Sequence, residues 1–382
     1  MIPQLDESSW ILAVGVFLLA STAGWVLSRA VLKYAMRRRH LFDIPNGRSS
    51  HTTPKPRGAG LAIVMVTLAG TVVLWGLGWI GMPLALAIAV GGSALAWVGW
   101  TDDRRSLSPK VRIVVHFASA FLALALLGGL PELDLGLWQL SLGGVGYAIG
   151  ALGIVWAINL YNFMDGIDGF AGGEALFVGA SAGGLLWWMG FPGLSLLALV
   201  VSGASLGFLG WNRPPARIFM GDVGAGFLGY LFGVMSVASE NAGAMPISLW
   251  VLLLGVFVFD ATLTLSRRVL RRERWWAPHR KHAYQRLAVG GWGHARVTAG
   301  LMVVNVALLA LTLWAALDPA RLPPILAVAA VMLGVFYLMV ERRWPMPGQD
   351  EEEEALPVPD WVGREASRPA AGAVNLEGKP RS

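Results

Sequence analysis

Acidic and amide side chains gather in three short stretches of a chain whose apolar runs otherwise carry few of them. Residues 99–112 read GWTDDRRSLSPKVR, residues 159–169 NLYNFMDGIDG and residues 219–226 FMGDVGAG. A fourth stretch, APHRKHAYQRL at 277–287, sets two histidines among cations. Carboxylate oxygens are the donors that hard Mg²⁺ prefers, and Mg²⁺ is held by one or two of them together with phosphate oxygens. Lys, Arg and His supply the charge that phosphates need. Asp102, Asp103, Asp165, Asp168 and Asp222, with Arg57, Lys110, His279 and His282 nearby, thus contain the parts of a phosphoryl-transfer site: metal, positioning and charge stabilisation. Asn159 and Asn162, three apart, fall on one helical face and can donate to phosphate or nucleoside groups.

Each stretch also has a purely structural reading. Adjacent aspartates at a helix end can cap it, and Asp165 and Asp168 fit an Asx-type turn. Asp222, just ahead of an apolar run, fits an N-cap. The two histidines fit a basic loop that meets lipid head groups. Five acids gathered in these segments, in a protein whose apolar runs hold almost none, favour the chemical reading.

The elements that carry these residues are membrane helices. Of 382 residues, 55% are hydrophobic and 14% charged, well below the about 25% charged of soluble domains. There is no cysteine, which removes disulfides, thiolate metal sites and Cys nucleophiles. Apolar runs near the roughly 20 residues of a membrane span predict helices over 10–32, 58–80, 82–100, 111–130, 145–161, 174–190, 193–211, 223–239, 247–266, 297–317 and 323–341. The expected fold is an all-α polytopic membrane protein, a bundle of about 11 transmembrane helices with its site on the cytoplasmic face. Lys and Arg cluster at 29–57, 104–112, 213–217 and 267–296, whereas the alternate loops hold only Arg321. The positive-inside rule then places the N-terminus outside and the C-terminus in the cytoplasm; these clusters are not read as a nucleic-acid face. The first apolar run is followed by its positive charges, not preceded by them, so it reads as a retained helix and not a cleaved signal. Residues 1–344 read as the membrane domain. Residues 345–382, Pro-rich with Glu351 to Glu354 in a row, read as a disordered cytoplasmic tail.

Asp-Asp, then Asn-x-x-Asn-x-x-Asp-Gly-Ile-Asp-Gly, then Phe-Met-Gly-Asp-Val-Gly, then a basic histidine loop, all in this order, resemble the polyprenyl-phosphate N-acetylhexosamine-1-phosphate transferases. That family includes the MraY, WecA and WbpL enzymes. The resemblance spans about residues 43–287, and SSHTTPKPRGAG at 49–60 is similar to the family's first cytoplasmic loop. It implies transfer of a sugar-1-phosphate from a UDP-N-acetylhexosamine to undecaprenyl phosphate in the bacterial inner membrane, with release of UMP. It implies Mg²⁺ as cofactor, or Mn²⁺ in its place. By the same resemblance Asp222 is a Mg²⁺ ligand, and Asp102 and Asp103 are the catalytic pair, Asp103 also serving the metal. Asn162, Asp165 and Asp168 resemble nucleotide-site residues, with Phe219 a stacking surface for uracil. Lys110 matches the lysine after the Asp-Asp loop, and His279 and His282 stand near the sugar-phosphate. The peptidoglycan-precursor branch has three consecutive histidines where this chain has His-Arg-Lys-His, which points away from UDP-MurNAc-pentapeptide and toward the WbpL-type branch that initiates O-antigen. UDP-FucNAc, UDP-QuiNAc and UDP-GlcNAc all fit. Attack on the β-phosphorus could be direct or pass through a covalent Asp intermediate. A transporter or flippase is the rival reading, in which Asp260 is the acid nearest a helix interior; a non-catalytic scaffold is a second. Small-residue helix faces permit a homodimer.

Overall fold

The computed structural model describes residues 7–38, 41–43, 54–274 and 279–348. The predicted tail beyond residue 348 and the aromatic segment Trp275–Pro278 lie outside the described residues. Each of the eleven predicted segments is helical. They are α1 (Glu7–Met36), α2 (Gly60–Gly76), α3 (Met82–Leu86) with α4 (Gly92–Asp102), α5 (Pro109–Leu127), α6 (Val145–Phe163), α7 (Phe170–Trp188), α8 (Pro192–Asn212), α9 (Asp222–Asn241), α10 (Ile247–Leu253) with α11 (Gly255–Leu270), α13 (Gly293–Ala316) and α14 (Leu322–Arg343). A five-residue helix, α12 (Ala283–Leu287), precedes α13. The protein is an all-α polytopic membrane protein. Among the described residues, eight helical stretches are long and apolar enough to cross a membrane, and the bent pair α10–α11 makes a ninth. Of the remaining two, α2 has 17 residues and α7 carries Glu174.

Two predicted spans are not simple rods. The one expected over 247–266 breaks at Leu254, where α10 and α11 meet at 84°. No proline marks the break, so the sequence did not announce it. The span over 82–100 contains a π-helical turn at Ala87–Gly91. Such a turn loosens the carbonyl ladder, and the Tyr230 hydroxyl, from α9, donates to the Ala87 carbonyl at 2.8 Å.

The core of the bundle is α9, the most enclosed of the apolar spans, packed against α2, α4 and α6. Without a strong hydrophobic drive between helices in lipid, small residues allow the close approach that packing needs. At the α2–α9 crossing Gly60 faces Gly224, and a Cβ on Gly60 would collide with the Gly224 backbone. Two loop segments are tied to this crossing. A short antiparallel ribbon pairs β1 (Phe42–Asp43) with β2 (Lys55–Pro56). The chain then runs beside residues 219–220: the Phe219 N–H donates to the Pro56 carbonyl, and the Ala59 and Gly60 N–H groups donate to the carbonyls of Phe219 and Met220. The first loop and the N-terminal end of α9 are thereby one unit.

Overpacking a close crossing typically costs about 1–3 kcal/mol. Gly60→Val should therefore lower the thermal unfolding midpoint in detergent by several degrees relative to wild type, whereas an unchanged midpoint would mean that α2 and α9 can separate without penalty.

Candidate active site

The loop before α9 turns at Gly221, whose φ of +79° is a left-handed value that glycine adopts without strain. A Cβ there would also lie 2.5 Å from Asp103 Oδ2. The Asp222 N–H donates to Asp103 Oδ1 at 3.1 Å and the Val223 N–H to Asp103 Oδ2 at 3.3 Å. A helix leaves its first N–H groups without intrahelical partners, and here an aspartate from another helix satisfies two of them. Asp222 is therefore the first residue of α9 and not its N-cap; Gly221 holds that position and has no side chain to offer. Arg57 secures Asp103 from behind, with Nη2 donating to its carbonyl at 2.6 Å and Nε 3.7 Å from Oδ1. Asp103 is 1% exposed. Burial pushes its carboxyl up to about 6, against the opposing pull of Arg57 and the two N–H groups and with a further push from Asp102.

Asp102, its sequence neighbour, points elsewhere. Its Oδ1 accepts the Leu107 N–H at 2.5 Å and its Oδ2 accepts from Arg112 Nη1 at 2.9 Å. Arg112 also lies 3.9 Å from Asp222 Oδ2, and the Asp102 and Asp222 carboxyl groups are within hydrogen-bonding reach of each other. These groups face a cleft of about 290 Å³ between α4, α5, α6 and α9, which Lys110, Asn159 and Asn162 also line. Along α4, α6 and α9 the lining changes from polar to apolar within one or two turns, Asp102 to Val98 and Leu95, Asn162 to Ile158 and Asp222 to Gly226, while on α5 Lys110 and Arg112 are followed by Ile113 and then by His116. The cleft thus suits a ligand with a charged head and an apolar tail. Asn159 is partly engaged, its amide donating to the Val155 carbonyl at 2.7 Å.

Asp165 and Asp168 lie past the end of α6. Asp165 is half-buried; burial, then the nearby Asp103 and Asp168 carboxylates, raise its carboxyl well above the usual range, and the Gly221 N–H offsets this only in part. Asp168 joins four segments. Its Oδ2 accepts the Ala216 N–H at 2.9 Å and lies 3.5 Å from Lys55 Nζ and 3.4 Å from His294 Nδ1, while its carbonyl accepts from Thr298. Burial alone would raise this carboxyl, but His294, the Ala216 N–H and Lys55 together hold it below the usual range. Lys55 Nζ also sits 5.3 Å from the centroid of the Phe219 ring, so the aromatic face expected to meet a base is covered by a cation.

The histidine loop approaches from α11. Asp260 accepts the Ala283 and Tyr284 N–H groups at 3.0 and 3.2 Å, and His282 Nδ1 lies 3.5 Å from it. The Tyr284 hydroxyl donates to the Phe163 carbonyl at 2.8 Å, and the Phe163 and His282 rings stack 6.0 Å apart. His279 packs 4.9 Å from His282, and burial, with His282 and the neighbouring cations, lowers its imidazole to about 2. Neither histidine lines the cleft. Lys281 corrects an expectation. It is not a surface cation but 1% exposed, donating to Glu273 at 2.8 Å beside Arg268 at 3.1 Å.

The family model described as "Glycosyl transferase family 4" matches residues 85–240. A Bacillus subtilis protein named probable undecaprenyl-phosphate N-acetylglucosaminyl 1-phosphate transferase is 33% identical over 260 residues, covering 66% of this chain and 71% of the relative. An Escherichia coli undecaprenyl-phosphate alpha-N-acetylglucosaminyl 1-phosphate transferase is 26% identical over 80% of this chain and 84% of its own length. A Synechococcus elongatus phospho-N-acetylmuramoyl-pentapeptide-transferase is 28% identical over 80% and 89%. The chain belongs to the polyprenyl-phosphate N-acetylhexosamine-1-phosphate transferase family. The rival transporter reading finds no support in these matches, and Asp260, the acid it would need, has both oxygens engaged in holding α12.

For a member of this family, the sequence reading missed Arg112, Lys55 and His294. Arg112 and Lys55 were visible as positive-inside charges but had no assigned partner, and His294 lies outside the motifs. Among the described residues no three His, Asp or Glu side chains form a ready-made metal cage. The donor set does fit Mg²⁺, which binds one or two carboxylates and takes its other ligands from phosphates and water: two carboxyl groups lie side by side at Asp102 and Asp222, an arrangement that a cation or a proton must relieve.

Glu273 is what keeps Lys281 buried. Removing one partner of a buried pair typically costs about 3–5 kcal/mol, because the other charge is left uncompensated. Glu273→Gln should therefore destabilise strongly, and Lys281→Met much less, since Glu273 keeps Arg268; equal losses in denaturant unfolding would contradict this pairing. The pH sign follows. Burial works to raise the Glu273 carboxyl, but Lys281 and Arg268 hold it below its ordinary value. Its contribution is complete above the unfolded carboxylate pKa of about 4.3 and is lost as pH falls through the lower folded value.

Proposed function

We propose that the protein transfers N-acetylhexosamine-1-phosphate from a UDP-sugar to undecaprenyl phosphate at the cytoplasmic face of a bacterial inner membrane, releasing UMP. The observation that carries this reading is the cleft whose mouth holds Asp102, Lys110, Arg112 and Asp222 and whose deeper wall is apolar apart from His116. A polyprenyl phosphate has the matching shape: its phosphate would lie against Lys110 and Arg112, and its first isoprene units along Val98, Leu95, Ile113 and Ile158. The UDP moiety would occupy the neighbouring segments around Asp165, Asp168 and Phe219, where Lys55 must yield the aromatic face as the uracil arrives.

A lipid phosphate oxygen attacks the β-phosphorus of the UDP-sugar, the bond to the bridging oxygen breaks, and UMP carries that oxygen away. Asp222 and Asp102 would hold Mg²⁺ or Mn²⁺, which supplies charge neutralisation to the transferring phosphoryl group. Asp103 serves differently: with both oxygens accepting N–H groups of α9, it positions Asp222. Arg112 holds Asp102 in place at the cleft, where its carboxylate would serve as the base for the lipid phosphate. The basic loops all belong to the end of the bundle that holds these residues, which supports a cytoplasmic site with the N-terminus in the periplasm. Residues 1–344 form the catalytic unit in this reading. The His-Arg-Lys-His sequence supports an O-antigen or related surface polysaccharide as the product line, with UDP-FucNAc, UDP-QuiNAc or UDP-GlcNAc as donor.

The test is direct. Purified protein, undecaprenyl phosphate and Mg²⁺ are combined with each UDP-sugar, and UMP is measured; no UMP from any of them would overturn the proposal. Asp222→Asn keeps shape but loses charge, so it should cut turnover by at least about 10²-fold while leaving the unfolding midpoint in place. Near-normal turnover at ordinary Mg²⁺ would remove Asp222 from the ligand set.

A further inference from the structure

The end of α14 bears on the histidine loop. Glu341 accepts from Arg267 through two parallel bonds, Nη1 to Oε2 and Nη2 to Oε1, each 2.7 Å. The same Oε2 accepts from Arg286 Nη1 at 2.7 Å, and the Met346 N–H donates to Oε1 at 3.2 Å. Tyr337, one turn earlier on the same helix face, has the two guanidinium groups 5.7 and 5.3 Å from its ring centroid and accepts from Arg267 at 3.0 Å. Arg267 sits in the last turn of α11, and Arg286 lies in α12. Everything between them in sequence is the connection that carries His279 and His282.

We propose that Glu341 is a positioning residue that braces both flanks of this connection and so sets where its histidines stand relative to the nucleotide-sugar. The inference rests on the transferase reading above for its kinetic consequence, though not for the brace itself. Magnitude separates this role from one in global stability. The Arg267 and Glu341 side chains are 23% and 22% exposed, so that pair contributes little to overall folding; the Arg286 side chain is 5% exposed, and its share in global stability is read from the unfolding midpoint of the same variant. Locally the effect differs. Without the carboxylate, two cations held against one tyrosine ring have no anion between them, and the flanks keep only the Asp260 bonds to α12 and the Arg286 bond to the Trp344 carbonyl.

The chain has no cysteine, so a single Ala283→Cys places a reporter at the first residue of α12, where the side chain is 4% exposed. In that background Glu341→Gln should raise the maleimide labelling rate about tenfold, the effect of losing a charged hydrogen-bond partner on local opening. In the protein without the added cysteine the same variant should raise KM for the UDP-sugar about tenfold and KM for undecaprenyl phosphate much less, because the histidine loop reaches the cleft only through Phe163. Glu341→Asp keeps the charge and should recover most of both effects. Wild-type labelling in Glu341→Gln would overturn the brace. Faster labelling with unchanged kinetic constants would also overturn the proposal as a positioning role, while UMP release by the parent enzyme would show that the transferase reading stands. Should Glu341→Gln not fold, Tyr337→Phe, which removes one acceptor of Arg267 and keeps the ring, must show a smaller rise in labelling; no rise would equally overturn the brace.

Discussion

A carboxylate from one helix closing the N-terminus of another is the interaction on which the site depends. The first N–H groups of a helix have no partner in their own helix and carry the positive end of its dipole. A buried carboxylate has the converse problem, since without hydrogen bonds its burial is costly. Asp103 and the start of α9 resolve both at once, as do Asp260 and the start of α12. Because each carboxylate accepts two successive N–H groups, one on each oxygen, each junction fixes a direction as well as a distance. In the first, the fixed object is Asp222, the first residue of α9. In the second it is His282, the residue immediately before α12. Asp222, the proposed metal ligand, and His282 are thus set by the same physical device.

The rest of the bundle can be understood as what makes these junctions possible. Asp103 reaches α9 because α2, α4 and α9 come close, and Gly60, Gly99 and Gly224 leave room for that approach. Asp260 reaches α12 because the span containing it breaks at Leu254 and turns through 84°, which aims α11 toward the loop. A straight helix over 247–266 would have kept Asp260 among lipid-facing or core side chains, where an acid is costly. The bend therefore changes what that residue is: an apparent intramembrane charge becomes the anchor of a loop.

This explains which parts of the protein were legible in sequence. Run lengths located the eleven long apolar segments, though not the short α12, because the bilayer imposes length locally along the chain. The motif residues were legible as a set because acids are rare in such a chain. Partnerships were not. Nothing in the spacing shows that Asp222 is capped by a residue 119 positions away, that Lys281 is buried on Glu273, or that Lys55 reaches Asp168 across the first loop. Basic residues were hardest of all, since the positive-inside rule accounts for every one of them without assigning any a partner. Arg112 and Lys55 were hidden by that sufficiency.

The Asp-Asp pair shows why partnership and not composition decides a role. Consecutive residues on a helix point about 100° apart, so the two adjacent aspartates at the end of α4 meet Asp222 from different sides, Asp103 at its N–H and Asp102 at its carboxyl group. Asp103 turns under α9, nearly sealed, with both oxygens engaged by N–H groups and Arg57 behind it. Asp102 turns into the cleft, with Arg112 and Asp222 for company. The identical side chains are therefore separated by backbone geometry into an anchor under α9 and a group that faces the cleft. Their closeness also couples them, since the Asp102 charge adds to what raises the Asp103 carboxyl. Any cation that settles between Asp102 and Asp222 would relieve the same repulsion that Asp103 feels, so filling the cleft and firming the N-terminal junction of α9 are one electrostatic event.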